Sequence, residues 1–122
     1  MGKVLRLGIL LLLVSCGGNY SAPRNLENAC AILDERPKYH DAMLRAERRW
    51  GVPVHVQMAT IYQESKFIGN ARTPHKYALG IIPMGRQSSA YGYSQALDGT
   101  WDDYRSSTGR FGARRNKMED AA

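Results

Sequence analysis

The chain has 122 residues, with 17 Lys and Arg against 11 Asp and Glu, a formal net charge of +6, 43% hydrophobic residues and two cysteines. That length holds one small domain and excludes a large multidomain enzyme. The modest positive balance suits an anionic partner, and His40, His55 and His75 are scattered without ligand spacing, so neither a metal nor a cofactor is expected.

Lys3 and Arg6 precede an apolar stretch, Leu7 to Val14, that is shorter than the roughly 20 apolar residues a membrane-spanning helix needs. Residues 1–15 therefore read as a signal peptide. Leu13-Val14-Ser15-Cys16 resembles the bacterial lipobox, which implies cleavage before Cys16 and lipidation of that cysteine. The mature chain would keep 107 residues and a charge of +4. Export argues against nucleic acid as the anionic partner. Gly17 in place of aspartate after the cysteine resembles sorting to the outer membrane, facing the periplasm. With Cys16 lipidated there is no disulfide framework, and Cys30 is expected as a small buried hydrophobe.

Residues 16–24 are small and polar and are expected to form a tether; residues 25–122 form the domain. Asn25 is a candidate cap for a helix from Leu26 to Arg36. Pro37 opens a second helix whose Tyr39, Ala42 or Met43, Ala46 and Trp50 share one face, with Gly51 as the stop. Arg45, Glu47, Arg48 and Arg49 form its solvated face. Pro53 starts a third helix with Val54, Met58, Ile61 and Ser65 on one stripe and Gln57 and Glu64 flanking it. From Phe67 to Ala90 no helical period appears. Leu79-Gly80-Ile81-Ile82 is the run that suits a short strand, and the aromatic and apolar content of this long loop predicts an ordered, functional segment. Asp98 or Thr100 can cap a fourth helix through Ser107 that ends at Gly109, and a fifth helix begins at Asn116.

Glu64 carries the first chemical signal. Partial burial beside Ile61 and the negative end of the helix dipole would both disfavour its anion, as a general acid requires, and Ser65 could hydrogen-bond to the carboxyl or to a substrate. Alone, Glu-Ser is weak and also describes a surface residue ending an amphipathic helix. The second signal is Tyr91-Gly92-Tyr93-Ser94-Gln95-Ala96, whose Gln95 lies 31 positions after Glu64. It offers a glycine for close backbone approach, tyrosines with flat apolar faces, and a glutamine that both donates and accepts. The same residues could equally pack a core.

Gln63-Glu64-Ser65, Gly92-Tyr93-Ser94-Gln95-Ala96 and Gly99-Thr100-Trp101, in that order, resemble the soluble lytic transglycosylase-type (SLT) domains of the lysozyme-like superfamily. The resemblance covers about Cys30 to Gly109. It implies a mainly α, lysozyme-like (α+β) fold: a small helical domain with a long substrate loop or short hairpin. It also implies cleavage of the MurNAc-GlcNAc β-1,4 bond of peptidoglycan glycan strands with formation of 1,6-anhydroMurNAc. Glu64 would be the single catalytic acid/base, with Tyr91, Gly92, Tyr93, Ser94, Gln95 and Ser65 as substrate-binding residues. The family pattern includes a later Asn/Tyr motif from C-terminal helices that is expected to be missing here, Asn116 being the nearest candidate. The alternatives are a hydrolytic muramidase, for which Asp98, Asp102 and Asp103 are the available second carboxylates, and a non-catalytic wall-binding lipoprotein.

Overall fold

A computed structural model describes residues 19–122. The signal segment and Cys16 lie outside the described residues.

The first helix, α1 (Ala29–Glu35), is shorter than expected. Its cap is Asn28, whose side-chain oxygen accepts from the Ala31 N–H at 3.0 Å, while Asn25 only closes the preceding turn with its carbonyl. Ile32 is its one buried residue. Cys30 lies two positions away, about 200° around the helix, and is exposed rather than buried.

Pro37 occupies the first turn of α2 (Pro37–Trp50), and Gly51, at φ 75°, ends it by donating to the Glu47 carbonyl. Tyr39, Ala42 and Met43 are buried. Trp50 does not join them: the helix has left the core at its last residue, and the ring stands 54% exposed beneath the Arg49 guanidinium.

In α3 (Val54–Ser65) the buried face is Gln57, Met58, Ile61 and Ser65. Gln57 Nε2 donates to the carbonyls of Met43 at 2.9 Å and Val52 at 2.8 Å, tying α3 to the middle of α2 and to the turn that follows it. The helix closes with two successive left-handed residues, Lys66 and Phe67. Each such conformation costs about 1–2 kcal/mol outside glycine. Phe67 is almost completely buried against Tyr39, and side-chain burial worth about 1.5–3 kcal/mol offsets the strain. The core is completed by Tyr93 and by Met118 from α5 (Met118–Ala121), which packs on α2.

Residues 19–24 are not a free tether. Pro23 is buried, the Tyr20 carbonyl accepts from Gly69 N–H at 3.1 Å, and Arg24 N–H donates to the Glu35 carboxylate at 3.0 Å. That hydrogen bond from Arg24 holds the Glu35 carboxyl below its usual range. Packing against the domain therefore begins before residue 25.

The expected loop after α3 contains an antiparallel hairpin of β1 (His75–Ala78) and β2 (Ile82–Arg86). Leu79, Gly80 and Ile81 join the strands, Ala78 pairing with Ile82, and Leu79-Gly80 are the central pair of the turn rather than part of a strand. Both residues have positive φ, 54° and 74°, as a type I′ turn demands, and Ile81 N–H donates to Ala78 O. Leucine is a poor choice for the first of these positions, where asparagine fits without the Cβ penalty. Leu79→Asn is expected to raise stability by about 1 kcal/mol in urea denaturation, because Leu79 is 89% exposed and forfeits no packing.

The last long helix, α4 (Asp98–Thr108), takes its cap from outside: Asp98 N–H donates to Ser89 Oγ, and neither Asp98 nor Thr100 caps through its own side chain. Gly109 ends it in the left-handed region.

Candidate active site

Glu64 is on the last turn of α3, one residue before Ser65 and two before the left-handed turn. It is exposed, so the expected partial burial is absent: Ile61 and Ser65 face the core, and Glu64 is carried round to the solvent side. It makes no hydrogen bond or ion pair with the other described residues, which leaves both carboxylate oxygens open. Ser65 does not reach it. The Ser65 hydroxyl is buried and donates to the Ile61 carbonyl at 3.2 Å, one turn back.

The second segment is joined to the end of α3 through Ala71. The Ala71 carbonyl accepts from Gly92 N–H at 3.0 Å and from Gln95 Nε2 at 2.9 Å. Gln95 Nε2 also donates to Gly92 O at 2.8 Å, closing its own turn, which Gln95 enters at φ 54°. Both amide hydrogens are thereby used within the protein, and Oε1 is the atom left to face a ligand. Glu64 and Gln95, distant in sequence, thus sit at two ends of one hydrogen-bonded unit whose middle is the segment 66–71.

Gly92 is the tightest point of that unit. It adopts φ 85°, and a Cβ there would stand 2.1 Å from the Arg115 carbonyl oxygen, the atom that accepts from Tyr93 N–H at 3.1 Å. Its role is close backbone approach between two protein segments. Gly69 plays a related part, since a Cβ there would meet the Tyr93 ring at 2.7 Å.

Tyr93 is mostly buried and reaches the surface at a small pocket of about 260 Å³ that it lines with Tyr20, Tyr39 and Asn116. Its ring is 4% exposed, set edge-on to Tyr39, and its hydroxyl shares a 3.0 Å hydrogen bond with the Tyr39 hydroxyl. Burial, followed by that hydrogen bond, pushes its ionisation well above the ordinary tyrosine range. Because the folded-state value is raised, the contribution to stability is complete below the unfolded tyrosine value of about 10 and is lost as pH rises beyond it. Tyr93→Phe is expected to cost about 1 kcal/mol at neutral pH and to flatten the fall in urea-denaturation stability above pH about 10.

Tyr91 is half-buried, with Arg72 4.6 Å and Arg115 5.3 Å from its ring centre. Guanidinium groups therefore occupy positions over a ring expected to offer its face to a sugar. Ser94 is half-buried in the same turn.

Sequence reasoning missed Arg115. Its guanidinium donates to Ala96 O at 2.7 Å, to Ser89 O at 3.0 Å and to Asp98 at 2.8 Å, while its backbone receives Tyr93. It fastens the C-terminal segment to the Gly92–Gln95 turn. The local sequence signals only a basic run, Arg114-Arg115, with nothing to mark its long-range partners. Beside it a groove of about 490 Å³ opens between α4 and the C-terminal segment, lined by Arg72, Tyr91, Asp98, Trp101, Arg105 and Arg115 among others. A second of about 410 Å³ shares Arg72, Asp98 and Arg115 and continues toward His75 and Arg86. Neither includes Glu64. Asp98 and Asp102 are ion-paired, with Arg115 and Arg105 respectively.

A helical body ending α3 in an open carboxylate, with a short hairpin after it and a Gly-Tyr-Ser-Gln turn fastened back, defines a small mainly α, lysozyme-like domain. The chain matches the family model of the transglycosylase SLT domain over residues 4–122 and belongs to that family. Membership carries the enzyme class, lytic transglycosylase, and the general substrate, peptidoglycan glycan strands. No curated protein and no solved structure matches the chain.

Proposed function

We propose that the protein cleaves the MurNAc-GlcNAc β-1,4 bond of peptidoglycan without water, with Glu64 as the single acid/base. The supporting observation is the position of Glu64 in a chain of this family: a carboxylate at the end of α3 with no partner among the described residues, whose following segment is held by Gln95 and Gly92. A glycan strand laid across the α3 end brings its glycosidic oxygen to the carboxyl. Glu64 then donates its proton to the glycosidic oxygen as the bond to C1 breaks. The N-acetyl oxygen of the same muramic residue supports the positive charge at C1, so a second carboxylate is not required. Glu64, now a base, takes the proton from the C6 hydroxyl, and O6 bonds to C1 to close the 1,6-anhydro ring. Gln95 acts through position, by fixing Ala71, with its Oε1 the one amide atom open to the glycan. Export by residues 1–15 and lipidation at Cys16, placing the domain at the outer membrane facing the periplasm, belong to the same proposal and rest on the sequence of that segment.

Mass spectrometry of sacculi incubated with the full chain tests the reaction. The expected products are muropeptides ending in 1,6-anhydroMurNAc. Reducing ends in their place would make the protein a hydrolytic muramidase. Binding to sacculi with no release, unaltered by Glu64→Gln, would make it a wall-binding protein.

A further inference from the structure

The hairpin 75–86 is built unlike the rest of the domain. Every residue of β2 is exposed, as are His75, Lys76 and Tyr77, and neither strand packs extensively on a helix. Its outer end is apolar: Tyr77 is 58% exposed, Leu79 89%, Ile81 78%, Ile82 49% and Met84 64%. Nothing in the packing of the described residues calls for this. Leu79 occupies a left-handed turn position that disfavours leucine, and projects into water from it. An exposed apolar patch that also carries backbone strain marks a contact surface.

Charge identifies the contact. Between Glu64 and Asp98 the sequence contains no acidic residue, but it contains Lys66, Arg72, Lys76 and Arg86, with His75. Four of these, Arg72, His75, Lys76 and Arg86, gather at the base of the hairpin and are exposed. Apolar side chains thus project from the tip and cations ring the base. Lys76 and Leu79 are three residues apart, about 10 Å of extended chain, which matches the 5–10 Å to which interfacial segments sink below the headgroups. A sugar chain would need hydrogen-bonding groups, which Leu79, Ile81, Ile82 and Met84 do not have.

We propose that this hairpin inserts its tip into the anionic surface of a lipid bilayer, with Lys76, Arg86 and Arg72 on the headgroup phosphates. The proposal is independent of the role of Glu64. It is also distinct from anchoring by the N-terminal segment, which would hold the chain near a membrane without seating the hairpin in it.

The test needs a local probe in the full chain. Ile81→Trp, with Leu79→Trp as a second variant, places an indole at the tip, and vesicles of phosphatidylglycerol with brominated acyl chains report its depth. The added emission is expected to shift to the blue and to be quenched, where Trp50 and Trp101 of the unsubstituted chain are not. Adding Lys76→Glu and Arg86→Glu is expected to lower the inserted fraction by about tenfold or more, as is replacing phosphatidylglycerol by phosphatidylcholine. An unquenched indole on phosphatidylglycerol vesicles would overturn the proposal. So would a blue shift that depends on protein concentration without vesicles, which would make the tip a contact between two copies, or one produced only by sacculi, which would make it a glycan contact.

Discussion

Glu64→Gln is expected to lower the release of anhydromuropeptides from sacculi by about 10²–10⁴-fold while leaving the fold unchanged. The amide is nearly isosteric with the acid but can neither give up a proton to the leaving oxygen nor recover one from the C6 hydroxyl. Glu64 is exposed and has no partner among the described residues, so its replacement breaks no contact that holds α3 in place. Thermal melting of the variant should therefore coincide with that of the wild type, and its affinity for sacculi should persist. Loss of turnover together with loss of folded structure would assign Glu64 a structural part instead. Full activity would remove it from the chemistry.

The second large effect is expected at Gly92. A side chain there is opposed twice, by a φ of 85° and by the Arg115 carbonyl oxygen only 2.1 Å from the added Cβ. Relief by rotation is closed, since the obstacle is backbone rather than the end of a flexible side chain. The C-terminal segment must move, and with it go the hydrogen bond from Tyr93 N–H and the seat of the Arg115 guanidinium on Ala96 and Asp98. Left-handed strain of about 1–2 kcal/mol and two or three lost hydrogen bonds at about 1 kcal/mol each place the cost of Gly92→Ala near 3–5 kcal/mol. For a domain of this size that lowers Tm by on the order of 15–25 °C, measurable by calorimetry. Gly80→Ala also occupies a positive-φ site, but its Cβ meets nothing. It should cost only the conformational part, about 1–2 kcal/mol. The contrast separates steric closure from backbone strain.

These two residues differ in how far they could be read before folding. Both were singled out by their motifs. Glu64 lies in a helix, where position follows from periodicity, yet periodicity misjudged its environment. The stripe through Met58, Ile61 and Ser65 was correct, while the margin of that stripe fell on the buried side at Gln57 and on the solvent side at Glu64. Which margin is covered depends on the neighbouring elements: α2 lies over Gln57, whose amide reaches Met43. Trp50 and Cys30 were misjudged for the same reason, an apolar residue being buried only where another element arrives to cover it. Gly92 was expected to allow close backbone approach at a substrate-binding turn, and the backbone it admits is that of Arg115, 23 positions further along the chain. Tyr93 and Gln95 were likewise read as facing a glycan. The first serves the core and the second spends its amide hydrogens on Ala71 and Gly92.

What could be read from residue order was local in origin. Pro37, Gly51 and Gly109 bound helices because a fixed φ, a missing donor or a left-handed residue acts within one turn. The helical class and the SLT family followed from that periodicity and from the ordered motifs. Tertiary packing alone decided that Ser89 caps α4, that residues 19–24 belong to the folded body, that Leu79-Gly80 is a turn, and that Arg115 holds the Gln95 segment in place. Each of these rests on a hydrogen bond or a steric limit, and several join residues far apart in the chain, pairings that no local pattern encodes.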